Sequence, residues 1–455
     1  MSTKHSKAAA RFIGNRKQEA WHDETLWMVR VKRDKMSHSL PEWERLRELA
    51  CEIKLYSNSH LDVLLEEFEK NATANGAIVH WAKDAAEHNA IVEEILQQHK
   101  AHTLIKSKSM LTEECGMNDY LFGKGYDIIE SDLGERILQW MKLHPSHIVM
   151  PAIHIKRQEV GEMMERVLGT EKGNSDPTYL THVVRKNMRE KFLTADVAMT
   201  GANFAVASTG EIVVCTNEGN ADMGTSFPNV HIATFGMEKI VPDRDSLGVF
   251  TRLLARSGTG QPITSYTSHY CKPKEGGEFH IIIVDNGRSD ILACPDHIRT
   301  LNCIRCGECM NTCPVYRRSG GYSYTYFIPG PIGINLGMLK DPVKYSDNVS
   351  ACSLCLSCSN VCPVKIDLGE QIYRWRQDLD KIGKASTEKK IMSGGMKFLM
   401  ERPKLFNTAL KFAPVVNNMP RFVIYNALNA WGKGRELPAF AKQSFNEMWK
   451  SNKIK

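Results

Sequence analysis

Between Trp43 and Lys70, apolar residues recur every three or four positions, at Leu46, Leu49, Ile53, Leu61, Leu64 and Leu65. That period predicts amphipathic helix. The pattern then changes. Gly76 to Ala82 is a short β-rich run, and Asp84 to Lys100 has helical spacing with Asp84 placed to cap it. Thr103–Ser107 predicts a second strand, Met110–Phe122 a helix and Tyr126–Glu130 a third strand. Further strands are predicted at His147–Met150, Val197–Met199, Glu211–Cys215, Val230–Phe235 and His280–Val284. Strands alternating with helices at this spacing predict a parallel sheet covered by helices.

The expected organisation is a helical segment over 1–75 and an α/β domain over 76–288. A cysteine-bearing domain over 289–384 and a basic helical tail over 385–455 follow. In the third part, Asp367–Lys381 predicts a closing helix.

The 455 residues correspond to about three domains at ~150 residues each. With 42% hydrophobic and 24% charged residues, disordered, collagen-like and disulfide-knot classes are excluded. Mean hydropathy is −0.34, and no apolar run approaches the ~20 residues of a membrane span. The start of the chain lacks the apolar core of a secretory signal, so a cytoplasmic protein is expected. The net charge is +7 and uneven: from Lys389 to Lys455, 13 Lys or Arg face three acids, Glu401, Glu436 and Glu447. The tail carries +10 and the remainder −3. Such a tail suits an acidic partner, anionic lipid at the inner face of a membrane, or simply a solvated helical face. No nucleic-acid-binding signature accompanies the charge.

Eight of the 13 cysteines form two short runs. One is Cys303, Cys306, Cys309 and Cys313 before Pro314. The other is Cys352, Cys355, Cys358 and Cys362 before Pro363. Both have the spacing by which bacterial ferredoxins hold [4Fe–4S] clusters. Three thiolates two residues apart wrap three corners of a cluster, and the fourth reaches the other cluster. One cluster is therefore assigned to Cys303, Cys306, Cys309 and Cys362, the other to Cys352, Cys355, Cys358 and Cys313. Zinc also accepts four thiolates, but usually from two separated pairs. The proline after each run is expected to stop the local helix. Cys51, Cys115, Cys215, Cys271 and Cys294 read as core thiols. The insert between the runs is rich in Tyr, Gly and Pro (Tyr316, Tyr322, Tyr324, Tyr326, Gly330, Pro331, Gly333). Arg317 and Arg318 beside the first run suit tuning of a cluster, or else surface solvation or an interface contact.

In the α/β part, Thr200, Gly201, Asn203, Ser208, Thr209, Gly210 and Glu211 form a small, polar stretch able to cradle a carboxylate or phosphate. A second polar loop, Thr216–Asn220, follows the next strand. Turn chemistry explains the same residues. His80, His154, His231 and His280 read as satisfied core histidines. There is no G-x-G-x-x-G and no phosphate-binding G-x-x-x-x-G-K-[ST] motif, so no flavin or nicotinamide site is announced; Phe122-Gly-Lys-Gly-Tyr126 and Ser257-Gly-Thr-Gly260 fit neither.

Over nearly its whole length the chain resembles the lactate utilisation protein B family, the iron–sulfur subunit of a bacterial lactate-oxidising system. The resemblance is carried by Lys106-Ser-Lys-Ser-Met-Leu-Thr-Glu-Glu114, Met150-Pro-Ala-Ile-His154, Thr200 to Val214, Pro228-Asn-Val-His-Ile232, Glu238-Lys-Ile-Val-Pro242 and Asp285-Asn-Gly-Arg288. Both cysteine runs, Pro329-Gly-Pro-Ile-Gly333 and Val361-Cys-Pro-Val-Lys-Ile-Asp367 complete it. It implies an α/β lactate-utilisation domain with a sheet like that of sugar-phosphate isomerases and CoA transferases, followed by a small α-rich ferredoxin-like domain with two [4Fe–4S] clusters. It implies two partners, a cysteine-rich subunit and a smaller protein built on the same α/β domain. Together they oxidise L-lactate to pyruvate without nicotinamide. It supplies no catalytic residue. D-lactate or glycolate as substrate, or a redox-sensing or assembly role, are the alternatives.

Overall fold

The computed structural model describes residues 4–383, 387–425 and 437–451. The expected boundary at 384–385 lies outside them, as do Lys433, Arg435, Glu436, Lys453 and Lys455 of the basic tail. The chain forms two units, meeting between Gln377 and Asp378.

The first unit opens with helices α1 (Lys4–Gly14), α2 (Arg16–His38), α3 (Trp43–Ser59) and α4 (Leu61–Ala74). Helix α5 (Ala85–Gln98) begins at Asp84, whose Oδ1 accepts the N–H of Glu87 at 2.9 Å. The strands are β1 (Ile78–Ala82), β2 (Thr103–Lys106), β3 (Asp127–Glu130), β4 (Val197–Gly201), β5 (Phe204–Val206), β6 (Glu211–Thr216), β7 (Val230–Gly236), β8 (Ile240–Val241), β9 (Tyr266–Tyr270) and β10 (Glu278–Val284).

Six strands form one wholly parallel sheet in the order β1-β10-β7-β4-β2-β3. The pleat sends successive side chains to opposite faces, and in β10 both faces are covered. Phe279, Ile281 and Ile283 pack with Leu61, Leu64, Leu65 and Phe68 of α4. Ile282 and Val284 pack with Val92, Ile95 and Leu96 of α5. This two-sided burial explains the nearly unbroken apolar run.

Three expectations need correction. The strand Glu211–Cys215 exists as β6, but it lies in a second sheet, ordered β8-β5-β6-β9, where β5 and β9 flank it antiparallel. His147–Met150 is a turn, not a strand. The His147 ring accepts the N–H groups of both Val149 and Met150 at 3.1 Å. The donors a strand would offer a neighbour are thereby used locally. The helix expected over Met110–Phe122 is two, Met110–Glu114 and Met117–Gly123, broken at Gly116 with φ +61°.

Helices α1 to α3 reach the cysteine-bearing part of the unit. Arg317 Nε donates to Asp23 at 2.6 Å and Arg318 Nη1 to Glu19 at 2.8 Å, so both arginines form ion pairs with α2. Arg33 Nη2 donates to the Val361 carbonyl at 3.0 Å, and Arg47 Nε to that of Cys362 at 3.0 Å. The expected closing helix is present as Leu368–Lys381.

The second unit holds helices Thr387–Met400, Pro403–Phe412, Arg421–Ile424 and Phe445–Lys450. Ile391, Phe412, Phe422 and Phe445 on them are exposed. Among the described residues, no helix is long and apolar enough to cross a membrane.

Candidate functional site

The two cysteine runs fold alike. Arg305 and Leu354, at matching positions, have φ +60° and +54°. Their N–H groups point back at Cys303 Sγ (3.4 Å) and Cys352 Sγ (3.3 Å). Gly307 and Leu356 again take positive φ, at +79° and +61°, and short helices Glu308–Asn311 and Ser357–Val361 follow. The fourth cysteines are served in the same way, Cys313 Sγ by the N–H of Tyr316 at 3.5 Å and Cys362 Sγ by that of Ile366 at 3.3 Å. The helix Glu308–Asn311 ends before Pro314, and Pro314 also begins the next one. It occupies the first turn of Pro314–Ser319, where its missing N–H costs nothing.

Cys306, Cys309, Cys358 and Cys362 are buried, and Cys355 is exposed. Burial, then the charges of Cys362 and Cys303, push the Cys306 thiol well up. Burial pushes Cys313 up to about 11, with Cys352 and Cys355 adding to it. Burial pushes Cys358 up to about 12, with Cys313, Cys352 and Cys355 adding to it. The thiols thus act on one another chiefly within two groups: Cys303, Cys306, Cys309 with Cys362, and Cys352, Cys355, Cys358 with Cys313. One influence crosses between them, that of Cys358 on Cys309. Four thiolates held together repel one another unless cations sit among them. Sulfurs already met by backbone N–H groups therefore fit an iron–sulfur donor set.

A cavity of about 380 Å³ lies at the carboxyl ends of β2, β4 and β7, where ligands bind in open α/β sheets. Its far wall is Ile304 and Arg305 of the first cysteine loop. Charged groups ring it. Arg288 forms a fork with Glu114 (2.9 and 3.0 Å), and its Nε donates to Glu238 at 2.5 Å. Gly236 makes room for this pair, since a Cβ there would lie 2.2 Å from Glu238 Oε2 and 2.3 Å from Arg288 Nε. Burial alone would raise the Glu238 carboxyl, but Arg288, Lys239 and Arg305 hold it down at about 2. Burial lowers Lys239 to about 8 and, behind it, Lys54 to about 7. Lys54 Nζ donates to the Glu238 carbonyl, and Lys239 Nζ to that of Cys303 at 3.3 Å. On the opposite wall, burial and then Asp132 raise Glu218.

The polar stretch expected to cradle a ligand is divided. Gly201 and Asn203 line the cavity, with Asn203 Oδ1 accepting the Cys215 N–H at 2.8 Å. Thr200 is buried against the His231 ring at 2.8 Å. Ser208, Thr209, Gly210 and Glu211 sit at the far end of the β5–β6 hairpin and do not line the cavity. Glu211 is held there by Arg244 (2.7 Å) and His269 (3.3 Å). Gly210 has φ +68°, and a Cβ on it would lie 2.2 Å from Ala72 N. Gly210→Ala is therefore expected to cost about 2 kcal/mol, through left-handed strain and the clash with α4. Urea unfolding checks this; an unchanged midpoint would show that α4 can move aside.

The second loop contributes Thr216, Asn217, Glu218 and Asn220 to the cavity. Sequence reasoning missed Lys108, Lys239, Arg288 and Arg305, whose motifs were noticed but whose convergence is three-dimensional. Of the other cysteines, Cys51 and Cys115 are buried as expected. Cys215, Cys271 and Cys294 are only partly so, and Cys215 lines the cavity. His80 and His280 hydrogen-bond to one another at 3.0 Å, and His154 bonds Ser146 at 2.5 Å.

Comparison with known proteins adds two family matches, a LUD domain over residues 65–291 and a 4Fe-4S dicluster domain over residues 299–366. The chain is 41% identical over 432 residues to Lactate utilization protein B of Bacillus pumilus (strain SAFR-032), covering 91% of this chain and 90% of that protein. It is 38% identical over 436 residues to the Uncharacterized electron transport protein YkgF of Escherichia coli (strain K12), covering 93% of this chain and 91% of that protein. Among solved structures, a duf162 family protein from Deinococcus radiodurans is 14% identical, covers 49% of this chain and 98% of that one, and superposes with a TM-score of 0.29. Identity at this level, sustained through both the α/β part and the cysteine runs, places the chain in the lactate utilization protein B family.

Proposed function

We propose that the chain is the iron–sulfur electron-transfer subunit of a multi-protein system that oxidises L-lactate to pyruvate. The observation that carries this reading is the pair of four-thiol groups, the first of whose loops walls a cavity at the strand ends. One [4Fe–4S] cluster is held by Cys303, Cys306, Cys309 and Cys362, and the other by Cys352, Cys355, Cys358 and Cys313. Bound clusters supply one-electron transfer. Oxidising lactate to pyruvate releases two protons and two electrons, so two such centres accept one electron each. The protein's part is to hold the thiolates, exclude water and set the surrounding charge. The partners are a cysteine-rich subunit and a smaller protein sharing the α/β domain. Relatives named Lactate utilization protein B support the substrate.

The test is anaerobic visible spectroscopy of the purified chain. L-lactate is expected to bleach the cluster absorbance when both partners are present, with dithionite as the positive control. Bleaching by D-lactate or glycolate in preference to L-lactate would reassign the substrate. Bleaching by dithionite alone under every condition would replace electron transfer from a hydroxy acid with a sensing or assembly role.

A further inference from the structure

We infer that the cavity between the strand ends and the first cysteine loop binds a small 2-hydroxy or 2-oxo carboxylate, with the Arg305 guanidinium as its carboxylate anchor. This rests on the proposed function for the class of ligand, but not for the existence of an anion site.

Arg305 lines the cavity, and its Nη1 is buried with no hydrogen-bond partner among the described residues. Its Nη2 lies 3.8 Å from Glu238 Oε1, too long for a hydrogen bond. Glu238 is committed to Arg288 at 2.5 Å, and Glu114 is committed to the other edge of Arg288. Lys239 reaches only a carbonyl, at 3.3 Å. This wall therefore holds two carboxylates against Arg288, Arg305 and Lys239, with Lys54 behind them. A guanidinium edge left without a hydrogen bond is costly, and a carboxylate matches its planar fork. Hydroxyl-directed groups also line the cavity: Asn203, Thr216 and the carboxyl of Glu218. The volume falls in the ~300–1,000 Å³ range of small-molecule sites, so 2-hydroxy acids longer than lactate also fit.

The cysteine repeat argues that this arginine is not there for the loop itself. Leu354 takes the matching place in the second run, with nearly the same backbone and the same N–H to sulfur bond. The loop geometry needs no charge at that position; only the run that faces the cavity carries one. An anion on Arg305 also stands near Cys303, so it opposes added negative charge on a cluster held there. By linkage, the ligand binds the reduced protein more weakly, and binding lowers the midpoint potential of that cluster.

The experiment uses the full chain, anaerobic and loaded with clusters, without partners. Calorimetry measures binding of L-lactate, pyruvate and 2-hydroxybutyrate, with methyl lactate as a neutral control. Redox titration by electron paramagnetic resonance reads the potential with and without pyruvate. The acids are expected to bind and the ester not. Pyruvate should lower one of the two potentials; tenfold weaker affinity for the reduced form appears as ~59 mV. Arg305→Leu, a substitution that Leu354 shows to be compatible with the loop, should weaken binding at least tenfold and abolish the shift. Arg305→Lys should restore part of the affinity. Failure of the parent chain to bind any of the acids, equal binding of ester and acid, or Arg305→Leu within twofold of the parent would each overturn the inference. The outcomes separate from those above. Lactate-driven bleaching with partners that survives Arg305→Leu removes this anchor and keeps the function. Acid binding lost in Arg305→Leu without any bleaching by lactate keeps the site and removes the function.

Discussion

Glu238→Gln is expected to destabilise the first unit by about 3–5 kcal/mol, the usual cost of removing one partner from a buried ion pair. The shape is kept and one charge is lost. Arg288 would retain Glu114, but Arg305 would lose its carboxylate, and Lys239 and Lys54, already lowered to about 8 and 7, would lose the charge that helps hold their protons. Against a typical total of ~5–15 kcal/mol this is a large fraction. Urea unfolding of the cluster-loaded chain measures it. The double variant Glu238→Gln with Arg305→Leu should recover part of the loss, since it removes one of the stranded cations. A single-variant loss under about 1 kcal/mol would show that the network is screened by water and is not a stabilising core.

Acidification should weaken the fold through two histidine rings of the first unit. Burial lowers His231 from 6.5 to about 3, and lowers His147 likewise to about 3. A group with a depressed pKa in the folded state is neutral there and protonated more readily in the unfolded chain. Its contribution is complete above 6.5 and is lost progressively as pH falls toward 3. At pH 5, 1.5 pH units below the ordinary value, each ring costs about 2 kcal/mol. The geometry leaves no easy adjustment: His147 accepts two backbone N–H groups through Nδ1, and His231 stacks on Phe279 at 4.7 Å. These two rings therefore lower the parent's urea midpoint between pH 7 and 5, against Glu308, which burial raises to about 8 and whose proton favours the fold as pH falls. In His231→Gln, which stands on β7 away from the cysteine loops, the drop should be smaller by about 2 kcal/mol. An identical drop in both would assign the acid sensitivity to other groups.

How much of this was legible depended on whether the cause was local. Asp84 capping α5, the apolar run of β10 and the two cysteine runs are set by neighbours in sequence, and each was readable there. The partition into two sheets was not. β6 reads like any core strand, and only its pairing with β5 and the half-exposed β9 removes it from the parallel sheet. Tyr266-Thr-Ser-His-Tyr270 has too little apolar pattern to announce itself. The loop around Gly210 was misleading for a physical reason, because a glycine needed for close backbone packing looks the same as one needed to approach a ligand. The charged wall of the cavity joins residues such as Lys239 and Cys303, 64 positions apart. No spacing rule connects them.

The grip of the N-terminal helices on the cysteine loops has a consequence for synthesis. Arg33 and Val361 are 328 positions apart, and Asp23 and Arg317 are 294 apart. At roughly 5–20 residues per second, α2 leaves the ribosome about 15–60 s before the segment it clasps. The first helices of the nascent chain are thus among the last to be seated. Helix α2 can therefore take its place against the cysteine loops only after both have been made.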